Sequence, residues 1–208
     1  MSAIARTRLA GIGLLGILCG AGFGLAMRGA AASSPIPLTA LTGKGDEVTL
    51  KAIKYDAMIK EIAAKKAKLT VVDAWATWCG PCKENFPHLV EMHKKYAAKG
   101  IEFASICLDD KAKPKKVAEA TEFLVGVMAN FSNYLLEESQ EESFDRLDIS
   151  AIPAVFMFGP DGKEVRRFTL EDVDNQFTYE QVEKAVQEFL AGKPMTTGVP
   201  PKQPGAKK

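Results

Sequence analysis

Cys79-Gly80-Pro81-Cys82 sets two thiols two residues apart, directly after the apolar run Leu69–Ala74 and directly before a helical pattern. That placement suits dithiol–disulfide chemistry. The apolar run reads as a buried strand, and Pro81 has the fixed φ suited to a first helical turn. The strand then delivers Cys79 to a helix N-terminus, where unpaired amide N–H groups and the helix dipole favour a thiolate. Cys82, one turn along, can close a disulfide on Cys79. The same pair could also be half of a zinc site or a plain structural disulfide. Zinc normally takes four ligands, however, and the sequence has neither a second paired-cysteine motif nor a Cys/His pair at ligand spacing. Redox chemistry is the stronger reading, with no metal and no cofactor beyond the cysteine pair itself.

Asp73 is the next group that could do chemistry. It sits inside the apolar strand, where a carboxylate is costly unless it has a partner or a task. Burial raises its pKa, which suits a general acid/base near neutral pH. The plainer alternative is an exposed carboxylate at a strand end; the flanking Val71, Val72, Ala74 and Trp75 favour burial. Cys107 lies in a second apolar run and reads as a buried thiol acting as a small hydrophobe. His88 and His93, five apart on the predicted helix, fall on different faces and do not form a metal pair.

The elements that must position these groups can be read from periodicity. Leu38–Leu41, the turn 43–46 and Val48–Leu50 predict an opening hairpin, and Tyr55–Lys66 a helix. Leu69–Trp75 predicts the central strand, and residues from about Cys82 to Ala98 the helix that follows the cysteines. Ile101–Leu108 predicts a parallel strand, Pro114–Met128 a helix, Phe131–Leu136 a short strand and Glu141–Leu147 a turn or two of helix. Ile152–Phe158 and Glu164–Phe168 predict two strands around the turn Pro160-Asp161-Gly162-Lys163, and Tyr179–Leu190 a last amphipathic helix. A parallel βαβ unit followed by an antiparallel hairpin and a helix is an α/β arrangement with few alternatives.

The segment Val71-Val72-Asp73-Ala74-Trp75-Ala76-Thr77-Trp78-Cys79-Gly80-Pro81-Cys82 resembles the active-site segment of thioredoxins. Phe86-Pro87 and the long stretch before Ile152-Pro153 resemble the exported TlpA/ResA branch, over roughly residues 38–192. The resemblance implies a thioredoxin fold: a mixed central sheet flanked by helices, with an N-terminal β-hairpin and an insertion before the strand that starts at a cis-proline. It implies Cys79 as the attacking thiolate, Cys82 as the resolving thiol and Asp73 as the group that moves a proton to or from Cys82. It implies that Pro153 is cis and packs beside the dithiol, and that the Ile152 backbone pairs with an extended substrate. Trp78, Gly80 and Pro81 form the rim of that surface, whereas Trp75 belongs to the core. Two positions depart from the pattern. The lysine that thioredoxins bury near the aspartate aligns with Ser105, and the glutamate that ResA-like proteins carry three residues after the second cysteine is Asn85, with Glu84 one position earlier.

Both ends lie outside this domain. Arg6 and Arg8 precede the uncharged run Leu9–Met27, and Ala30-Ala31-Ala32 offers small residues for a signal-peptidase cut, so residues 1–32 read as a signal peptide or N-terminal membrane anchor. Residues 33–37 read as a linker. Residues 193–208, rich in proline and lysine, read as a disordered, solvated tail. With 27 basic and 26 acidic side chains, nothing favours nucleic acid as a partner.

The expected protein is therefore an envelope thiol–disulfide oxidoreductase facing the periplasm. It would reduce protein disulfides, as in cytochrome c maturation or general thiol reduction, and draw electrons from a membrane dithiol donor. The alternatives are a DsbA-like oxidant, or a metallochaperone or peptide-binding module on the same fold.

Overall fold

Leu69–Trp75 (β2) has no exposed residue, so the elements around it must cover both of its faces. A computed structural model describes residues 47–171 and 176–201. In chain order the elements are β1 (Leu50–Ile53), α1 (Tyr55–Ala64), β2, α2 (Gly80–Tyr96), β3 (Ile101–Cys107), α3 (Pro114–Gly126), β4 (Ser132–Leu136), α4 (Gln140–Leu147), β5 (Ala154–Phe158), β6 (Glu164–Phe168) and α5 (Tyr179–Leu190). The strands form a six-stranded sheet in the order β1-β4-β3-β2-β5-β6. The pairs β1–β4, β4–β3 and β3–β2 are parallel, and β2–β5 and β5–β6 are antiparallel. This is a thioredoxin fold.

The insertion between β3 and β5 is not a loop. It supplies α3, a full strand that lengthens the sheet, and α4. Ser139 and Glu142 close α4 at its start with a reciprocal capping box. Asp56 and Arg146 form an ion pair that ties α1 to α4. On the other face of the sheet, Trp75 packs against Phe86 of α2 and Phe123 of α3, with ring centroids 5.3 and 4.8 Å away. Phe86 and Phe123 meet edge to face at 5.3 Å, so β2, α2 and α3 are locked together by three mutually touching rings.

Some expectations fall on residues outside those described. They are the signal or anchor (1–32), the linker (33–37), the first strand and turn of the hairpin (38–46) and the end of the tail (202–208). Of the hairpin only β1 is described, and it pairs in parallel with β4. Among the described residues no helix is long and apolar enough to cross a membrane.

The tail is a correction. Residues 193–201 were expected to be solvated, but they dock on the last strand and the last helix. Val199 and Arg167 exchange both backbone hydrogen bonds at 2.9 Å, extending the β6 edge. Thr197 Oγ1 donates to the Gln181 carbonyl at 2.7 Å, and the Met195 carbonyl accepts from Arg166 at 2.9 Å. Gly198, at φ +71°, lies so close to Phe168 that a Cβ there would sit 2.7 Å from the ring. The physical reason is backbone pairing. An otherwise open strand edge accepts an extended segment whatever its side chains, and composition does not register that.

Candidate active site at the carboxyl end of the central strand

The site forms where β2 ends. After Trp75 the chain runs through Ala76, Thr77 and Trp78 to Cys79, which is the N-cap of α2. The helix begins at Gly80, two residues earlier than expected, because Pro81 is accommodated within its first turn and leaves no amide unpaired there. Cys79 and Cys82 are joined in a disulfide. Cys82 is wholly buried, and Cys79 keeps a sliver of exposure beside Trp78, which is 50% exposed. The Cys82 N–H points at Cys79 Sγ at 3.2 Å. An amide at a helix start aimed at sulfur stabilises negative charge on it, which is what an attacking thiolate needs. A Cβ on Gly80 would meet nothing within 4 Å, so this side of the disulfide is open to an approaching chain.

The start of β5 closes the other side. The Ile152–Pro153 peptide is cis, and the Ile152 carbonyl oxygen lies 3.7 Å from Cys79 Sγ. The antiparallel pairing of β5 with β2, Ala154 opposite Ala74, places this turn beside the disulfide.

Asp73 is fully buried. Its Oδ2 accepts a hydrogen bond of 2.7 Å from the Tyr179 hydroxyl, at the first residue of α5. Its Oδ1 has no hydrogen-bond partner among the described residues. Burial pushes the carboxyl up to about 7, and the Tyr179 bond pulls it back in part. Ser105 stands opposite Asp73 in the register but does not serve it. Its hydroxyl accepts from Trp75 Nε1 at 3.3 Å and donates to Asn133 Oδ1 at 2.9 Å. Asn133 in turn donates to the Ala129 and Phe131 carbonyls. The position where thioredoxins carry a lysine is thus spent on fixing the core tryptophan. Asn85 is similarly occupied, donating to the Pro81 carbonyl at 2.9 Å, and Glu84 is exposed.

Two functional side chains were not singled out by the sequence. Tyr179 was read only as a helix start, and nothing local links it to Asp73, 106 positions away. The other is Asp109, buried just past β3. Its Oδ2 accepts from the Thr77 N–H at 2.8 Å, and its Oδ1 accepts from the Thr77 hydroxyl at 2.9 Å. This two-pronged grip holds the loop that presents Trp78 and Cys79. Cys107 Sγ donates to the same carboxylate at 3.2 Å. Burial pushes that thiol well above its ordinary value, so it stays neutral and acts as a core donor. His93 wedges edge-on between Phe103 and Phe131, and His88 lies over the Tyr179 ring at 5.9 Å. Among the described residues no cluster of three or more His, Cys, Asp or Glu has the geometry to hold a metal.

Asp109→Ala would leave the buried Thr77 N–H and hydroxyl without their acceptor. The expected cost is about 2–3 kcal/mol, read as a lower denaturant midpoint at unchanged slope. Asp73 has the opposite effect on stability. Its carboxyl binds a proton more tightly folded than unfolded, so stability falls as pH climbs from 3.8 to about 7. Asp73→Asn should therefore be more stable than the parent at pH 8, by at most about 4 kcal/mol, with the gain fading towards pH 4. Equal urea midpoints at pH 8 would refute this.

The AhpC/TSA family matches residues 37–182 of this chain. Among characterised proteins, the thiol-disulfide oxidoreductase ResA of Bacillus subtilis (strain 168) is 28% identical over 109 residues, covering 52% of this chain and 57% of that protein. ResA of Bacillus thuringiensis (strain Al Hakam) is 30% identical over 122 residues, covering 56% and 63%. The chain thus spans less than two thirds of the length of these relatives. In fold it is similar to a hypothetical protein from Sinorhizobium meliloti 1021, with a TM-score of 0.51 at 21% identity over 65% of this chain and 77% of that one. With the match running from before β1 into α5, through the cysteine pair and the cis-proline turn, this chain belongs to the AhpC/TSA family.

Proposed function

We propose that this protein is a thiol–disulfide oxidoreductase that reduces disulfides in other proteins on the extracytoplasmic side of a membrane. One observation carries the reading. A disulfide closes the first turn of a helix beside the exposed Trp78, and the carbonyl of a cis X-Pro peptide stands 3.7 Å from its Cys79 sulfur. A purely structural disulfide needs neither the exposed tryptophan rim nor the carbonyl beside it.

The chemistry follows from the asymmetry of the two cysteines. In the dithiol form the Cys79 thiolate, favoured by the Cys82 amide, attacks one sulfur of a substrate disulfide. A Cys79–substrate bond forms, and the other substrate sulfur leaves with the electron pair and takes up a proton. Cys82 then loses its proton to the Asp73 carboxylate and attacks Cys79 Sγ. The second substrate sulfur leaves as a thiolate and is protonated from solvent. Two electrons have passed from the dithiol to the substrate, and Cys79–Cys82 is again a disulfide. Trp78, Gly80, Pro81, Ile152 and Pro153 bound the surface on which an extended substrate segment would lie.

A dithiol donor must reduce the disulfide between cycles, and a membrane dithiol carrier fits this role. Arg6, Arg8 and the uncharged run Leu9–Met27 support export, with contact to the membrane if that segment is retained. The disulfide-oxidoreductase names of the ResA relatives support the reaction class. Substrates of the cytochrome c maturation kind, or a broader pool of envelope thiols, fit the same surface. Gly80-Pro81 between the cysteines resembles reducing thioredoxins, which favours reduction over a DsbA-like role.

Cys82→Ser should accumulate a mixed disulfide through Cys79, because the resolving step is lost, and Cys79→Ser should abolish turnover. Non-reducing electrophoresis reads the trapped species, and its absence with a turnover-competent parent would refute the scheme. The equilibrium potential of Cys79–Cys82 in glutathione or dithiothreitol buffers tests the direction. A value near about −270 mV is expected, whereas one near about −120 mV would make the protein an oxidant.

A further inference from the structure

Asp73 is a buried acid that lacks the cationic neighbour the thioredoxin pattern supplies. Among the described residues, no charged side chain shifts the Asp73 carboxyl in its place. From β3 the facing residue is Ser105, committed to Trp75 and Asn133. From β5 it is Val155. From α5 it is Tyr179, buried, with its hydroxyl 2.7 Å from Oδ2.

Tyr179 also reaches the helix that carries the cysteines. Its ring lies 27° from parallel to that of His88, and it shares the lining of a cavity of about 520 Å³ with Pro81, Asn85, Pro153 and Glu180. Pro81, Asn85 and His88 stand on one stripe of α2, at i, i+4 and i+7, and that stripe flanks the one carrying Cys82, Phe86 and Leu89 into the core. One side chain thus touches the buried carboxylate and also lines a cavity against the first turns of α2. The Thr178 N–H donates to Gln181 Oε1 at 3.1 Å, which fixes the turn that presents Tyr179.

We propose that Tyr179 is a positioning residue for the resolving step: its hydroxyl holds Asp73, setting the pH at which Asp73 takes the proton of Cys82. This rests on the oxidoreductase reading above. The neutral phenol donates a hydrogen bond to the carboxylate and so favours its ionised, proton-accepting form. After Cys82 attacks, the proton held on Asp73 is released to solvent and the carboxylate is restored. Burial between Asp73 and the core keeps the phenol neutral throughout, well above its ordinary range.

The test is Tyr179→Phe in the full chain, with two readouts. The first is the pH titration of the Asp73 carboxyl carbon by NMR in the oxidised protein. The second is the pH profile of disulfide-peptide reduction under a dithiothreitol supply. Loss of the donor disfavours the carboxylate, so both midpoints should move upward together by about one pH unit. Placing 3-fluorotyrosine at 179, which keeps the shape and strengthens the donor, should move both downward, and it tests the idea even if the phenylalanine variant folds poorly. In an Asp73→Asn background, Tyr179→Phe should add no further shift. His88→Gln, which removes the stacked imidazole, should leave the Asp73 titration in place.

An unmoved titration in folded Tyr179→Phe would overturn the proposal, as would a titration that moves while the turnover profile does not. A parent protein that reduces no disulfide at any pH would instead sink the oxidoreductase reading, and the proposal with it.

Discussion

Strand direction is the constraint on which the site depends. β2 is buried along its whole length and paired on both edges, so only its ends can present groups, and the cysteines lie past its carboxyl end. A parallel neighbour ends where β2 ends, and an antiparallel neighbour begins there. β3, being parallel, therefore delivers Asp109 to that end, and β5, being antiparallel, delivers Ile152 and Pro153. Three segments far apart in the chain meet around Cys79 because the sheet allows their ends to lie nowhere else. The helix that starts there contributes its unpaired amides, as ligand-binding sites of open α/β sheets commonly do.

Polar groups beneath this surface are distributed with little slack. Trp75 must be buried to hold α2 and α3, and its indole N–H then requires an acceptor, which Ser105 provides. Ser105 needs an acceptor of its own and finds Asn133, whose amide is in turn satisfied by two carbonyls. That chain crosses β2, β3 and β4 with every member partnered, and it leaves nothing for Asp73. The carboxyl depends on α5 instead. α5 is therefore part of the setting of Asp73, although it follows the cysteines by almost a hundred residues.

The parts legible in the sequence are those whose cause is local. The CxxC turn, the alternation and apolar runs of β2, β3 and β5, and the Pro160–Lys163 turn each carry their signal within a few residues. The cis state of Pro153 was implied by the resemblance and not by the residues alone, since X-Pro bonds are mostly trans. Tyr179 and Asp109 were illegible as functional groups because their roles exist only across the sheet. A tyrosine opening an amphipathic helix and an aspartate closing a strand are both ordinary features. The docking of residues 193–201 was misread because proline and lysine content describes side chains, whereas the docking uses the backbone edge of β6 and a glycine that fits under Phe168.

The two sulfurs sit in different settings, and that difference suits the two-step reaction proposed above. At Cys79 the nearest partner is an amide N–H, which favours negative charge, and solvent is within reach. At Cys82 burial opposes negative charge. The first cysteine is thus suited to wait as a thiolate, and the second to remain a thiol until a base removes its proton. A base in that position must itself be reluctant to ionise, or it would hold no proton to exchange near neutral pH. In the proposed scheme that base is Asp73, where burial supplies the reluctance and a single phenolic hydroxyl limits it. Whether such a site reduces or oxidises is a choice made by free energy. That choice lies in how far the Cys82 amide and the helix start stabilise the Cys79 thiolate relative to the closed disulfide, which is a balance of free energies on one fixed scaffold.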